Sequence, residues 1–173
     1  LEKHGLIGKN DVVLDYGCGK GRVDFFLSSQ TKANAIGIEY DERIYRSALE
    51  NQKTALSRAK AQFVLARAEV YEVPEEVNRC YFFNPFSVEI LRKVMARILE
   101  SYYEKPREVL LFFYYPSAEY LSYLMTVGEL EFYDVSRERF CLESGEYELM
   151  VGASSEDIRM TEIVTVKGEE VPP

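Results

Sequence analysis

The residues best placed to do chemistry lie in one stretch, Val12-Val13-Leu14-Asp15-Tyr16-Gly17-Cys18-Gly19-Lys20-Gly21-Arg22. An apolar run leads into it, as a buried strand would. Gly17, Gly19 and Gly21 permit positive φ and leave no side chain between the backbone and a ligand. A helix starting at such a turn offers amide donors to an electron-rich group. The spacing is G-x-G-x-G rather than the G-x-G-x-x-G of dinucleotide sites, and Asp15 stands two residues before the first glycine. Beside a pyrophosphate that carboxylate would be repulsive; beside a ligand with cationic groups it would be attractive. The loop therefore points to a positively charged small molecule, with a nicotinamide-dependent oxidoreductase as the weaker alternative.

Two further groups belong with this loop. Glu39 falls at the end of the second strand, about twenty residues beyond the glycines, where an acid can accept hydrogen bonds from two ribose hydroxyls. Its bland alternative is a helix-start carboxylate alongside Asp41 and Glu42. Asn84-Pro85-Phe86 closes the fourth strand. Strand ends at the switch point of a parallel sheet are where ligands bind, which favours a site position; the weaker alternative is a helix entry with Asn84 or Ser87 as cap and Pro85 as a rigid turn.

Residues 15–21 together with Glu39 resemble the first two motifs of class I S-adenosylmethionine-dependent methyltransferases, over about residues 1–132. Phe83-Asn84-Pro85-Phe86 is also similar to the fourth-strand end of a small group of bacterial methyltransferases of undefined substrate. The resemblance implies S-adenosyl-L-methionine as cofactor. Asp15 would orient the methionine amino group, with Gly17, Cys18, Gly19 and Gly21 lining its backbone. Glu39 would hold the ribose and Tyr40 would lie along the adenine. Glu69 is a candidate for the adenine edge or an ordinary surface carboxylate. In amino-methylating members the fourth strand ends in Asn or Asp, two prolines and an aromatic residue that hold and stack a flat amine. Here a single proline follows Asn84, so Asn84, Pro85 and Phe86 form a partial match. The implied acceptor is a small molecule or an amino group. Methyl transfer asks mainly for alignment, because the sulfonium is an activated leaving group; no His or Cys dyad is required. Tyr114, Tyr115, Tyr120 and Tyr123 are candidates for an acceptor pocket or for the core. A non-catalytic Rossmann scaffold would keep the same loop, and nothing in the sequence separates it from an enzyme.

The elements that must position these residues alternate along the chain. Strands are expected at 11–15, 34–39, 62–65, 80–83 and 108–115. Helices are expected at 21–29, 41–58, 88–104 and 117–127. Asp41 is a natural N-cap, followed by Tyr45, Ala48, Leu49, Gln52, Ala55 and Leu56 at helical spacing. Val88, Leu91, Met95, Ile98, Leu99 and Tyr102 form an apolar stripe that Pro106 ends. The run at 108–115 is nearly all apolar, as in a strand buried on both faces. The expected fold is α/β: a doubly wound, Rossmann-like, mostly parallel sheet.

After residue 132 the pattern changes to strands at 132–135, 146–152 and 159–167, with turn signals at Ser144-Gly145 and Ser154-Ser155. The expected organisation is a cofactor-binding region at 1–132 and a β-rich segment at 133–173. Ser144-Gly145-Glu146-Tyr147-Glu148-Leu149-Met150-Val151-Gly152-Ala153-Ser154-Ser155-Glu156-Asp157-Ile158-Arg159 resembles the final strands of the fibronectin type III-like domain of family 3 glycoside hydrolases. No catalytic carboxylate of that family lies in this domain, so no glycosidase activity is implied. Strands from a sandwich of about seven cannot bury both faces alone. They are expected to close the parallel sheet as antiparallel strands beside 108–115, making the chain a chimera. The short stretch before the first strand lacks the helical segment that covers the cofactor in related enzymes, which is expected to weaken binding and turnover.

Bulk properties bound the rest. The chain has 173 residues, 47% hydrophobic and 29% charged, with a net charge of −8. An acidic chain with basic residues scattered rather than clustered disfavours extensive nucleic-acid binding. No run of about eighteen apolar residues offers a membrane span. Cys18, Cys80 and Cys141 are odd in number and widely spaced, which fits a reducing cytoplasm rather than a disulfide framework. With His4 the only histidine, no protein-only zinc site is expected. Oligomeric state is not readable.

Overall fold

A computed structural model describes residues 5–55, 60–127 and 130 in full, and the backbone alone of strands at 132–134, 139–141, 145–154 and 157–166. Two compact units divide at Pro116 and Ser117.

The first unit carries five strands: β1 (Val12–Tyr16), β2 (Asn34–Glu39), β3 (Ala61–Leu65), β4 (Arg79–Phe82) and β5 (Leu110–Phe113). They pair in the order β3-β2-β1-β4-β5, every pair parallel. Chain order therefore reverses between β1 and β4, so the loops leaving their C-terminal ends diverge and open a crevice. Helices α1 (Arg22–Thr31), α2 (Glu42–Thr54) and α3 (Val88–Glu104) supply the crossovers.

Parallel register sorts the side chains. Tyr16, Phe82 and Phe113 are register partners across β1, β4 and β5. Their rings form one row, stacked at 4.8 Å and 4.5 Å with nearly parallel planes. Asp15 and its partner Tyr81 occupy the next register position, on the other face of the sheet by strand alternation. Ile7, Val13, Leu27 and Ala33 form one buried cluster, joined by Val23, Tyr81 and Phe112. Another gathers Cys18, Ala48, Ala61 and Phe63, with Phe25, Tyr45 and Leu49 against it. On α3, Leu91, Val94, Met95 and Ile98 are buried, as the apolar stripe requires.

Two arginines clamp the opposite, N-terminal edge. The nearly buried Arg79 donates to the carbonyls of Leu6 at 2.7 Å and Asn78 at 2.9 Å. It also pairs with Asp11 at 3.5 Å and Glu108 at 3.1 Å. Arg107 donates to the Val77 carbonyl at 2.7 Å and the Ser101 hydroxyl at 2.8 Å. Cations and ion pairs tie that edge, while the C-terminal edge carries the acids.

Element boundaries follow local backbone chemistry. β4 stops at Phe82 and β5 at Phe113, each shorter than its apolar run, because Asn84 (φ 45) and Tyr115 (φ 51) adopt the left-handed conformation that ends an extended strand. Asp41 caps α2 as expected, accepting from the amides of Arg43 at 2.9 Å and Ile44 at 3.3 Å. That helix ends at Thr54, with Ala55 extended; the expected continuation through 56–58 lies outside the described residues. A 3-10 turn at Ala68–Val70 follows β3, where the sequence offered no helical period.

The second unit begins with α4 (Ala118–Leu124), capped by the Ser117 hydroxyl, which accepts from the Tyr120 amide at 3.2 Å. Its strands are β6 (Phe132–Asp134), β7 (Arg139–Cys141), β8 (Gly145–Ser154) and β9 (Asp157–Val166). β6 pairs antiparallel with β7, and β8 with β9, each as a two-stranded sheet. The strand expected at 132–135 is described over Phe132–Asp134, its last position lying outside the described residues; β7 was not anticipated. Among the described residues, no helix is long and apolar enough to cross a membrane.

Candidate cofactor site

The β1–α1 loop is a tight turn made possible by glycine. Gly17 has φ 76, and a methyl group on it would come within 2.7 Å of the Pro85 ring. The loop after β1 and the turn after β4 thus pack directly together, and two sequence motifs 68 positions apart meet at Gly17 and Pro85. Gly19 has φ 58 with nothing within 4 Å of where a side chain would go. That is open space beside the loop, the condition for a ligand to lie on the backbone. Gly21 caps α1, also in the left-handed conformation.

The loop's amides are already engaged. Gly17 and Cys18 both donate to the Ile38 carbonyl, at 2.9 and 3.0 Å, and Gly21 donates to the Cys18 carbonyl at 3.0 Å. The Gly19 amide donates to Glu39 Oε2 at 3.2 Å. Glu39 Oε1 accepts from the amides of Tyr40 and Asp41, both at 2.9 Å. The acid at the end of β2 is therefore buried and oriented by three backbone donors. Each carboxylate oxygen can accept two hydrogen bonds, so acceptor capacity remains on Oε2. The helix-start reading of Glu39 holds in part: it braces the turn into α2, while Asp41 performs the capping.

Asp15 is 3% exposed and Asp24, the third residue of α1, is 1% exposed. Asp15 Oδ2 and both oxygens of Asp24 are buried with no well-formed hydrogen bond among the described residues, and the two carboxyls are close enough for each to shift the other's titration. Burial, and then the neighbouring Asp24, hold Asp15 well above the usual carboxylate range. Burial pushes Asp24 up to about 7, with the hydrogen bond from Asp15 pulling it back down. The Cys18 thiol is driven far up by burial and by the same acids, so it stays neutral.

Asp24 was absent from the sequence expectation. An acid in the first turn of a helix is ordinary dipole chemistry. The signal that could have found it is the apolar period: Asp24 shares its buried stripe with Leu27 and Ser28.

The remaining candidates sit on the same C-terminal edge with different engagement. Tyr40, directly after β2, is 77% exposed. Glu69, in the 3-10 turn after β3, accepts from Arg67 Nε at 2.7 Å; its own amide and then Arg67 hold its pKa below the usual value. Asn84 is exposed in its left-handed turn. Phe86 packs edge-on against Tyr16 and Phe82, at 6.5 and 6.4 Å. The exposed rings nearby are Phe83, Tyr114 and Tyr115. Phe83 lies 5.1 Å from Tyr114 and 6.0 Å from Tyr115. Cys18 and Cys80 are free thiols. No group of three metal-ligating side chains occurs among the described residues.

Solved structures of several methyltransferases are similar in fold to this chain. A methyltransferase from Thiobacillus denitrificans, solved with S-adenosyl-L-homocysteine, superposes with a TM-score of 0.53 at 15% identity, over 70% of this chain and 51% of that one. An RNA methyltransferase from Salinibacter ruber, also with S-adenosyl-L-homocysteine, gives 0.50 at 21% identity over 55% of this chain and 60% of that one. A geranyl diphosphate C-methyltransferase from Streptomyces coelicolor A3(2) gives 0.50 at 14% identity over 57% and 37%. At these identities the likeness is one of fold: an α/β Rossmann-like fold shared over roughly half of this chain or somewhat more. The chain spans between 37% and 60% of those proteins' lengths. No protein-family model matches the sequence, and no curated protein does.

Proposed function

We propose that this chain binds S-adenosyl-L-methionine and belongs to a methyltransferase. One observation carries the reading. Three buried carboxylates, Asp15, Asp24 and Glu39, gather at a glycine loop whose amides at 17, 18, 19 and 21 are already engaged. A pyrophosphate would meet negative charge with those donors spent. A ligand carrying an ammonium, a sulfonium and a ribose meets acceptors. The orphaned Oδ2 of Asp15 and the open space at Gly19 fit such a group. Asp15 takes the ammonium, Gly17, Cys18 and Gly19 give the backbone surface, and Glu39 accepts the ribose hydroxyls. Tyr40 offers an exposed ring to the adenine, and Glu69 borders its edge. Once bound, the cofactor supplies a methyl group on an activated sulfonium. The protein's own work is to hold that group in line with an acceptor and to exclude water.

The acceptor reading is a small flat molecule or an amino group. Asn84 would accept from an amine N–H, Pro85 fixes the turn against Gly17, and Phe86 braces that turn from below. Phe83, Tyr114 and Tyr115 present the exposed aromatic surface on which a flat or cationic acceptor would lie. The C-terminal strands we read as a segment of separate, fibronectin-like descent that completes the sheet beside β5, and the whole as a cytoplasmic protein.

The test is a pair of thermal-shift titrations on the intact chain, one with S-adenosylhomocysteine and one with NAD. Stabilisation by the first alone supports the reading, and labelled methyl transfer to a panel of flat amines would then identify the acceptor. Stabilisation by NAD alone would overturn it in favour of an oxidoreductase.

A further inference from the structure

Among the described residues, no cation pairs with Asp15 or Asp24. The titratable groups that couple to them are Glu39 from β2, Tyr81 from β4 and Cys18 from the loop, and none is positive. Glu39 accepts from three amides and lends no donor to the pair. Burial and the Asp15 charge push the Tyr81 hydroxyl up, and burial keeps the Cys18 thiol protonated, so both are neutral. Two neighbouring carboxyls are almost wholly removed from water, three of their oxygens have no well-formed hydrogen bond among the described residues, and burial raises both, so the pair retains a proton where an isolated aspartate has lost it. Buried charge is tolerated when it is paired, and this pair is left with the smallest partner available.

From the geometry of these orphaned oxygens we infer that Asp15 and Asp24 together form a two-carboxylate receptor for a compact ammonium group, which enters in exchange for the retained proton. The inference rests on the cofactor reading and deepens it, by assigning Asp24 to the amino-group subsite and by making binding proton-linked. The exchange balances. Where the pair carries a single proton, the site before binding has a net charge of −1 by count. Afterwards it holds two carboxylates and one R–NH3+, again −1. One O–H bond breaks, its proton leaves to solvent, and no other bond changes. Exchange at constant charge lets a cation enter a buried acidic site without changing the field that Glu39, Tyr81 and Cys18 experience. Asp24 is held on the rigid first turn of α1, so it positions the ammonium opposite Asp15 rather than following it.

The experiment is calorimetric titration of the intact chain with S-adenosylhomocysteine in two buffers of different ionisation enthalpy, between about pH 6 and pH 8, below the range in which the ligand's own amine titrates. The expected result is release of about one proton per ligand where the pair is protonated, with affinity rising up to about tenfold per pH unit. Asp24→Asn is expected to bind without proton release and with a flat pH profile, because the side-chain amide it introduces can donate to an ionised Asp15. Proton release persisting in Asp24→Asn, or binding by the parent that is pH-independent, overturns the exchange and leaves the cofactor reading standing. No binding by a folded parent at any pH overturns both. Carboxyl-carbon NMR of the ligand-free chain tests the pair without cofactor. An aspartate pair titrating near neutrality supports the inference, and titration of every aspartate below about pH 5 contradicts it.

Discussion

Asp24 occupies a buried position that the helix period would normally give to a leucine, and its carboxyl is raised to about 7 by burial. A carboxyl whose folded value lies above its unfolded value of about 3.9 contributes stability that is complete below that unfolded value. The contribution is lost as pH rises through about 7. The ligand-free chain is therefore predicted to lose stability between about pH 4 and pH 7 on this account. Asp24→Asn, which keeps the shape and removes the charge, should raise the melting temperature at about pH 8 by the equivalent of about 2–4 kcal/mol, and by much less at pH 5. Melting curves at the two pH values check this; a variant less stable than the parent at both would show that the pair is not strained. Asp15 and Glu39 were legible from sequence because each stands at a fixed distance from a glycine or a strand end. Asp24 was not, since its chemistry comes from burial, and a first-turn acid is spaced alike whether buried or solvated.

The loop between β1 and α1 separates two kinds of glycine. Gly17→Ala must displace Pro85, whereas Gly19→Ala meets nothing and strains only the backbone. The prediction is a loss of about 1–2 kcal/mol for Gly19→Ala, the usual cost of a left-handed alanine, and a distinctly larger loss for Gly17→Ala. Chemical denaturation of both variants tests it, and equal losses would contradict the packing of the β4 turn on the loop. Gly19→Ala should nonetheless abolish cofactor binding, since its methyl group would occupy the open space. At this scale the sequence was most readable where a period repeats. β2 and α3 begin and end where the pattern says, at Asn34–Glu39 and Val88–Glu104. It was least readable where one residue's dihedral decides, as at Asn84 and Tyr115, which end their strands inside continuing apolar runs. Phe86 shows a related limit: its place after Asn84-Pro85 marks it as an aromatic group near the site, but only packing distinguishes a ring lodged against Tyr16 and Phe82 from the exposed Phe83 beside it.

Across the whole molecule, the reversal of strand order between β1 and β4 gathers a list of motifs into a candidate site. It brings Asp15, Glu39 and Asn84 to one edge while Arg79 and Arg107 lock the other. The alternating pattern made that topology legible, because parallel crossovers leave few choices. The fate of the C-terminal strands was less so, since strand runs do not name their partners. β8 and β9 form a ladder with each other. If this segment also completes the sheet, as we propose, then truncation after residue 130 should raise the hydrogen-exchange rates of the β5 amides in Leu110–Phe113. Unchanged exchange would contradict closure. The central claim, that the acids around the glycine loop are a cofactor site, is tested most directly by calorimetric titration with S-adenosylhomocysteine of the parent chain, Asp15→Ala and Glu39→Ala. Micromolar binding by the parent, lost in both folded variants, is the predicted result. A well-folded parent that binds nothing would contradict the claim and leave the chain a Rossmann scaffold without a ligand.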